Sequence, residues 1–230
     1  MSEIALAAKE AVGASFSLDK MKLARDRTME AVHRIAGRVR PGMTELQAKE
    51  LARTVLEDMG MDRIWHGILV RFGRSTLKIF SEKIDPDNRL GEDDIFFIDL
   101  GVVWEGHEGD AGATFVVGQD PRKLACAAAA RQLWDEVREK WLHDNLAGPA
   151  LYRFAEERAS AMGWVLNPEI RGHRVSDFPH AIYKAGNLGD FADCPDTGCG
   201  FLKSRLPIRP ANTELFTRTC WSGRNPIGRR

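Results

Sequence analysis

The sequence predicts an α+β domain in which helices cover an antiparallel sheet. Helical and strand-like segments do not alternate strictly along the chain, as they would in a parallel α/β fold. The sequence also contains no glycine-rich phosphate-binding loop. Two strand patterns are joined by a short polar segment, which favours an antiparallel hairpin. Together these observations favour an antiparallel sheet over a doubly wound one.

Two helices are predicted at the start of the domain. Apolar residues recur at helical spacing over residues 18–39, and a Pro-Gly pair at 41–42 ends that helix. Thr44 and Gln47 fit a capping box, which predicts a second helix over residues 45–59.

Strands and further helices follow. Residues 64–72 and 95–104 are rich in strand formers, and 113–117 is predicted to be the returning strand of a hairpin. Helices are predicted over 121–143 and 149–162. The apolar side of the first of these two helices is predicted to contain Leu124, Ala128, Leu133, Val137 and Trp141.

The sequence divides into an N-terminal arm (1–17), one domain (18–198) and a tail of different character (199–230). No composition change marks a boundary before residue 198.

Composition excludes several function classes. The chain has 230 residues, 43% of them hydrophobic, and a formal net charge of zero, so neither extended disorder nor a chain-wide nucleic-acid surface is expected. No apolar run approaches the roughly 20 residues that span a bilayer, and no signal peptide is recognisable. The four cysteines form no Cys-x-x-Cys pair, which is typical of reduced thiols in the cytoplasm.

Two aspartates are the strongest candidates for a site. Asp99 interrupts the apolar run Ile-Phe-Phe-Ile-Asp-Leu, and Asp110 begins the partner strand. If the hairpin folds about residues 104–105, the two lie roughly opposite each other. Carboxylates that close repel unless one is protonated or a cation lies between them, and their oxygens suit one or two divalent metals. The alternative is a structural pair, with one aspartate capping a turn and the other meeting an arginine.

Two histidines add to this candidate site. His173 and His180 lie seven residues apart, and a loop could direct both into one cleft. Histidine is a common ligand of transition metals and a common proton carrier. Taken alone, such a pair is more often structural.

These residues carry a resemblance to a known family. The runs I-D-L-G…G-D-A-G-A-T-F and G-H-x6-H, with R-P-G-M-T-E between the first two helices, resemble the M24 superfamily of methionine aminopeptidase, aminopeptidase P, prolidase and creatinase. The resemblance covers about residues 20–198. It implies the "pita-bread" fold, a curved antiparallel sheet covered by helices.

The resemblance also implies a site. Asp99 would bind one metal, Asp110 would bridge two, and His173 would bind one of them. His180 would contact a peptide substrate and steady the tetrahedral intermediate. Two glutamates would complete the set, and the cofactors would be two divalent ions (Mn, Co, Zn or Fe) that activate a water. A homodimer is compatible with the sequence, although no particular feature indicates one.

The sequence departs from this pattern in several places. The family's substrate-contacting histidine shortly before the first aspartate is missing, and His66 does not align with it, so His66 is expected to be structural or at the surface. Arg174 stands where glycine is frequent. Neither glutamate motif is found after residue 198, where Glu214 is the only acid.

The tail is predicted to be read out of frame. Translated in a shifted frame, the codons compatible with residues 199–230 can encode L-W-V-L-E-I-Q-I-A-H-P-T-R-E-H-G-A-F-Y-E-D-L-L-V-G followed by a stop. This string contains both missing glutamates, in the strand-like runs V-L-E-I and A-F-Y-E-D-L-L-V. We call the protein that carries this shifted-frame string the frame-restored protein. The tail with its present sequence is expected to be poorly ordered or to form no coherent site.

The predicted function is that of a metal-dependent aminopeptidase or dipeptidase, of Xaa-Pro peptidase type, impaired in this chain by loss of the glutamates. One alternative is an inactive pita-bread module that binds peptides or proteins. A creatinase-like amidino hydrolase is least favoured, because members of that class usually lose the metal ligands.

Overall fold

The computed structural model describes residues 12–78, 82–83, 85–166, 172–179, 187–192 and 194, together with the backbone of 201–205, 208–210 and 220–222. The described α-helices are α1 (Leu18–Ala36), α2 (Glu45–Asp58), α3 (Pro121–Asp144) and α4 (Gly148–Ala161). The described strands are β1 (Arg63–Phe72), β2 (Asp94–Trp104), β3 (His107–Val117), β4 (Trp164–Leu166), β5 (His173–Val175), β6 (Phe201–Arg205), β7 (Ile208–Pro210) and β8 (Cys220–Ser222).

The sheet is antiparallel throughout its described part. Six strands pair in the order β1-β2-β3-β8-β6-β5, and β4 pairs with β7. The predicted α+β class with an antiparallel sheet is therefore confirmed.

The central hairpin turns one position later than predicted. Trp104 pairs with His107, so Glu105 and Gly106 form a two-residue turn, and both have positive φ (49° and 73°). Positive φ at both positions matches the right-handed twist of the strands. β3 consequently begins at His107 and not near residue 113. Pairing with β2 overrides the poor strand propensity of this glycine- and acid-rich segment.

Helices α1 and α2 pack on the β1–β3 part of the sheet. Ser17 caps α1 by accepting a hydrogen bond from Lys20 N, and the predicted capping box of Thr44 and Gln47 is confirmed at the start of α2. The core they enclose includes Val32, Ile35, Leu56, Ile98 and Leu100. Burial of these apolar side chains fixes the hairpin against the helices.

Helices α3 and α4 enclose a second apolar cluster. Leu124 is 43% exposed and Ala128 is also exposed, so the predicted apolar side of α3 was wrong at its first turns. An alanine-rich run offers little hydrophobic contrast to mark a face. The buried side of α3 comprises Cys126, Ala129, Ala130, Leu133, Trp134, Val137 and Trp141.

Described parts of the N-terminal arm and of the tail contact the sheet region. Asp177, just after β5, accepts hydrogen bonds from Gly13 N (2.9 Å) and Ser15 Oγ (2.8 Å) in the arm. Within the tail, β6 pairs with β5 and β8, and β8 reaches β3 at Gly112. Among the described helices, none has the length and apolar character needed to cross a membrane.

Candidate metal centre

Asp99 and Asp110 lie on one face of the β2–β3 hairpin. Asp99 pairs with Gly112, and Asp110 pairs with Gly101. The aspartates are therefore diagonal neighbours rather than directly opposite, because the turn is centred one residue later than predicted. Moving the turn by one residue changes the register by two, which keeps both side chains on the same face.

Both carboxylates are withdrawn from water. Asp99 is 0% exposed, within an apolar run of β2, and Asp110 is 1% exposed, near the start of β3. Burying one ionised carboxylate is costly, and burying two on one face adds their mutual repulsion. A divalent cation would offset both costs.

His173, one of the site residues predicted from the sequence, lies beside this pair. Its Nε2 lies 3.0 Å from Oδ2 of Asp110. The segment after β5 follows the start of β3, where Glu108 N donates to the Ser176 carbonyl (3.0 Å) and Phe178 N donates to the Gly106 carbonyl (2.8 Å). This pairing holds the imidazole beside the aspartate. His180, the fourth predicted site residue, lies outside the described residues.

His66 also joins the site, which sequence reasoning did not predict. Its Nε2 lies 3.2 Å from Oδ1 of Asp110. Single ligand atoms of His66, Asp99 and Asp110 lie within 4.8 Å of one another. The ring therefore lies beside Asp110 and not at the surface, with its side chain 12% exposed. Spacing could not reveal it, because His66 lies on the neighbouring strand β1, where strand pairing and not the sequence interval sets its place.

Both imidazoles direct Nε2 at Asp110. Nδ1 of His66 lies 3.0 Å from the carbonyl oxygen of Gly67, and Nδ1 of His173 lies 2.9 Å from that of Arg174. A carbonyl oxygen only accepts, so each Nδ1 carries a proton. In the neutral ring, Nε2 is then an acceptor facing a carboxylate oxygen, which is another acceptor. A cation, either a proton or a metal, has to stand at each contact.

The donor set fits a divalent metal. Ligand atoms about 2.1 Å from one metal, at roughly 90–110°, lie about 3.0–3.4 Å apart. The contacts from Asp110 to His173 and His66, at 3.0 and 3.2 Å, fall in this range. Carboxylate oxygen with imidazole nitrogen suits Zn, Mn, Fe or Co. Among the described side chains, no glutamate joins the group formed by His66 and the two aspartates.

Trp65 stabilises both rings. It meets His66 edge-on at 4.7 Å between ring centroids and His173 at 5.6 Å. The indole Nε1 donates to the Gly109 carbonyl (3.2 Å), one residue before Asp110. Trp65 thus fixes the imidazoles relative to the carboxylate they face.

The sequence profile of "Metallopeptidase family M24" matches residues 19–190. The chain belongs to metallopeptidase family M24. A methionine aminopeptidase of Helicobacter pylori is 30% identical over 186 residues, which cover 77% of this chain and 72% of that protein. The family resemblance inferred from the sequence is confirmed.

Solved structures confirm the pita-bread fold. An X-Pro aminopeptidase from Thermotoga maritima superposes with a TM-score of 0.71 at 16% identity, covering 96% of this chain and 61% of that one. A prolidase from Pyrococcus furiosus gives 0.71 at 15%, covering 96% and 64%. A methionine aminopeptidase from Thermotoga maritima gives 0.63 at 19%, covering 83% and 78%. The chain thus spans less than two thirds of the X-Pro aminopeptidase and prolidase chains.

Proposed function

We propose that the protein is a metal-dependent aminopeptidase or dipeptidase that hydrolyses peptide bonds near the N terminus of its substrate, next to proline. The observation that carries the proposal is the pair of buried carboxylates, Asp99 and Asp110, with imidazole nitrogens 3.0 and 3.2 Å from Asp110. Family membership supports the reaction class. The X-Pro aminopeptidase and prolidase structures, which share the fold, motivate the proline preference.

Each residue has a distinct task in this proposal. Asp99 and Asp110 hold two divalent ions (Mn, Co, Zn or Fe), and His173 holds one of them. When bound, the metals lower the pKa of a water and polarise the scissile carbonyl. His180 contacts the substrate and stabilises charge that develops on its carbonyl oxygen.

The present tail limits this activity. Two glutamate ligands are encoded only in the shifted frame, so the chain with its present tail should bind the second metal weakly and turn over slowly. Four cysteines without a Cys-x-x-Cys pair support a cytoplasmic location. The proposal allows a homodimer but does not need one.

Release of the N-terminal residue tests the proposal. The present chain and the frame-restored protein are assayed with Mn²⁺ on Ala-Pro-Gly, on the dipeptide Ala-Pro and on Met-Ala-Ser. We expect frame-restored protein to cleave the proline peptides, the present chain to be at least tenfold slower, and excess chelator to stop both. Cleavage of Met-Ala-Ser alone would replace the proline preference by a methionine one. If the frame-restored protein cleaves none of the three, the proposal fails.

A further inference from the structure

The ligands that the family resemblance implies include none from β1. We propose that His66 on β1 is an additional metal ligand, binding the divalent ion held by Asp99 and by Oδ1 of Asp110, while His173 serves a metal position at Oδ2. The inference rests on the proposed function, since it requires a divalent metal at this site.

The first support is the grouping of ligand atoms. His66 Nε2 lies 3.2 Å from Asp110 Oδ1, and one atom each of His66, Asp99 and Asp110 falls within 4.8 Å of the others. A single cation between them can contact all three. His173 contacts the other oxygen of Asp110 at 3.0 Å. The shared aspartate therefore separates two positions, each with its own imidazole.

The second support is the course of β1 around His66. Ile64 pairs with Val102 but His66 pairs with Gly101, and the register shifts again before Leu69 pairs with Asp99. Such bulges re-aim side chains and are frequent beside active sites. The irregular pairing on both sides of His66 places its ring over the sheet face that carries the aspartates.

The third support is a cradle that only glycine provides. A Cβ built on Gly101 would lie 2.0 Å from Cδ2 of His66 and 2.5 Å from Nε2. The imidazole therefore occupies the volume that any other residue at 101 would fill. Trp65 contacts the ring edge-on, and the side chain of His66 is only 12% exposed. The ring is held in place before any metal arrives.

Charge balance favours a neutral imidazole as the additional ligand in this chain. Asp99 and Asp110 already bring two negative charges into a buried site, and a neutral imidazole adds a ligand there without burying another charge. His66 has Nε2 available as this ligand, because its Nδ1 faces the Gly67 carbonyl at 3.0 Å. It provides this ligand without the glutamates that the present tail lacks.

Titration of the full chain with Co²⁺, followed by visible absorption, tests the inference. His66→Ala should weaken Co²⁺ binding at least tenfold, since losing even a residue that only supports a metal ligand typically costs about 10- to 100-fold in affinity. It should also change the absorption bands. His143→Ala, on α3 with a side chain 65% exposed, is the matched control and should match the wild type. If His66→Ala gives the wild-type affinity and spectrum, the inference is overturned and the proposed function stands. If the wild type binds no Co²⁺, the inference is overturned, and if the frame-restored protein binds none either, the proposed function is overturned as well.

Gly101→Ala is a second test variant, which keeps the imidazole of His66 but displaces it. We expect the same loss of Co²⁺ affinity as in His66→Ala, and no further loss in the double variant, because both changes act on one contact. The double variant should also melt higher than Gly101→Ala alone, since the clash is gone. Additive losses of affinity would contradict the inference. Should Gly101→Ala not fold, the comparison of His66→Ala with His143→Ala decides.

Discussion

Asp110 lies directly across the β2–β3 ladder from Gly101, and the same relationship holds between Asp99 and Gly112. Each buried carboxylate thus has a residue without a side chain as its cross-strand neighbour. Directly opposite side chains on one face are normally about 5 Å apart at Cβ and would fill this space. The glycines leave room above the sheet, where the imidazoles of His66 and His173 meet Asp110.

Replacing one buried carboxylate should separate metal binding from folding. We expect Asp99→Asn to lower metal affinity more than tenfold, because asparagine keeps the shape but loses the charge that offsets the cation. The metal-free protein should unfold at the same or a higher temperature, since one of two like charges is removed.

Calorimetric metal titration and thermal unfolding check this expectation. Asp19→Asn, on the first turn of α1 with a side chain 93% exposed, is the control and should change neither quantity. Unchanged metal affinity in Asp99→Asn would show that Asp99 is not a ligand.

His180→Ala in the frame-restored protein should act on turnover rather than on metal content. The family resemblance assigns this position to substrate contact and to support of the tetrahedral intermediate. Removing one such donor typically costs about 100- to 1,000-fold in kcat. Metal content by elemental analysis, measured beside kcat and KM, distinguishes the two roles. Loss of both metals would overturn the assignment.

Glu45 should be among the most sensitive positions for stability outside the site. Its Oε1 accepts hydrogen bonds from Phe72 N (2.9 Å) and Asn88 Nδ2 (2.8 Å), and its Oε2 lies 3.5 Å from Nη1 of Arg71. Both charged side chains are buried. Glu45→Ala leaves the buried charge of Arg71 without its carboxylate partner and should lower the free energy of unfolding by about 3–5 kcal/mol.

Urea unfolding measures this cost against a matched control on the same helix. Glu50 pairs with Arg53 at 3.9 Å, but its side chain is 73% exposed, so Glu50→Ala should cost less than about 1 kcal/mol. Equal losses in the two variants would show that the buried pair contributes nothing special.

The sequence predicted the parts of this structure that local signals specify. The start of α2 is marked by the capping residue Thr44, and the hairpin strands are marked by their periodicity and turn residues. Asp99 was identified because it interrupts an apolar run. The early start of β3 depends on pairing with β2, which no local propensity encodes. His66 was missed for the same reason, because a bulge in β1 brings it to Asp110.

The tail should separate the present chain from its frame-restored form. β6 and β8 lie in the sheet beside β5 and β3, and the shifted frame would place strand-like runs with the two glutamates in this part of the chain. We expect the frame-restored protein to melt several degrees higher. For a protein of this size, a change of about 1 kcal/mol in the free energy of unfolding moves Tm by about 2–4 °C. The frame-restored protein should also bind two metals tightly. Nucleotide sequence across codons 196–202 checks the origin of the tail. Equal melting temperatures and equal metal content would contradict the frameshift.

Anomalous scattering from crystals grown with Mn²⁺ tests the metal centre most directly. We expect a manganese peak between Asp99 and Asp110, with ligand atoms about 2.0–2.3 Å away, and His66 or His173 in contact with it. A manganese-saturated crystal whose anomalous peaks all lie away from these two carboxylates would show that Asp99 and Asp110 do not form the metal centre.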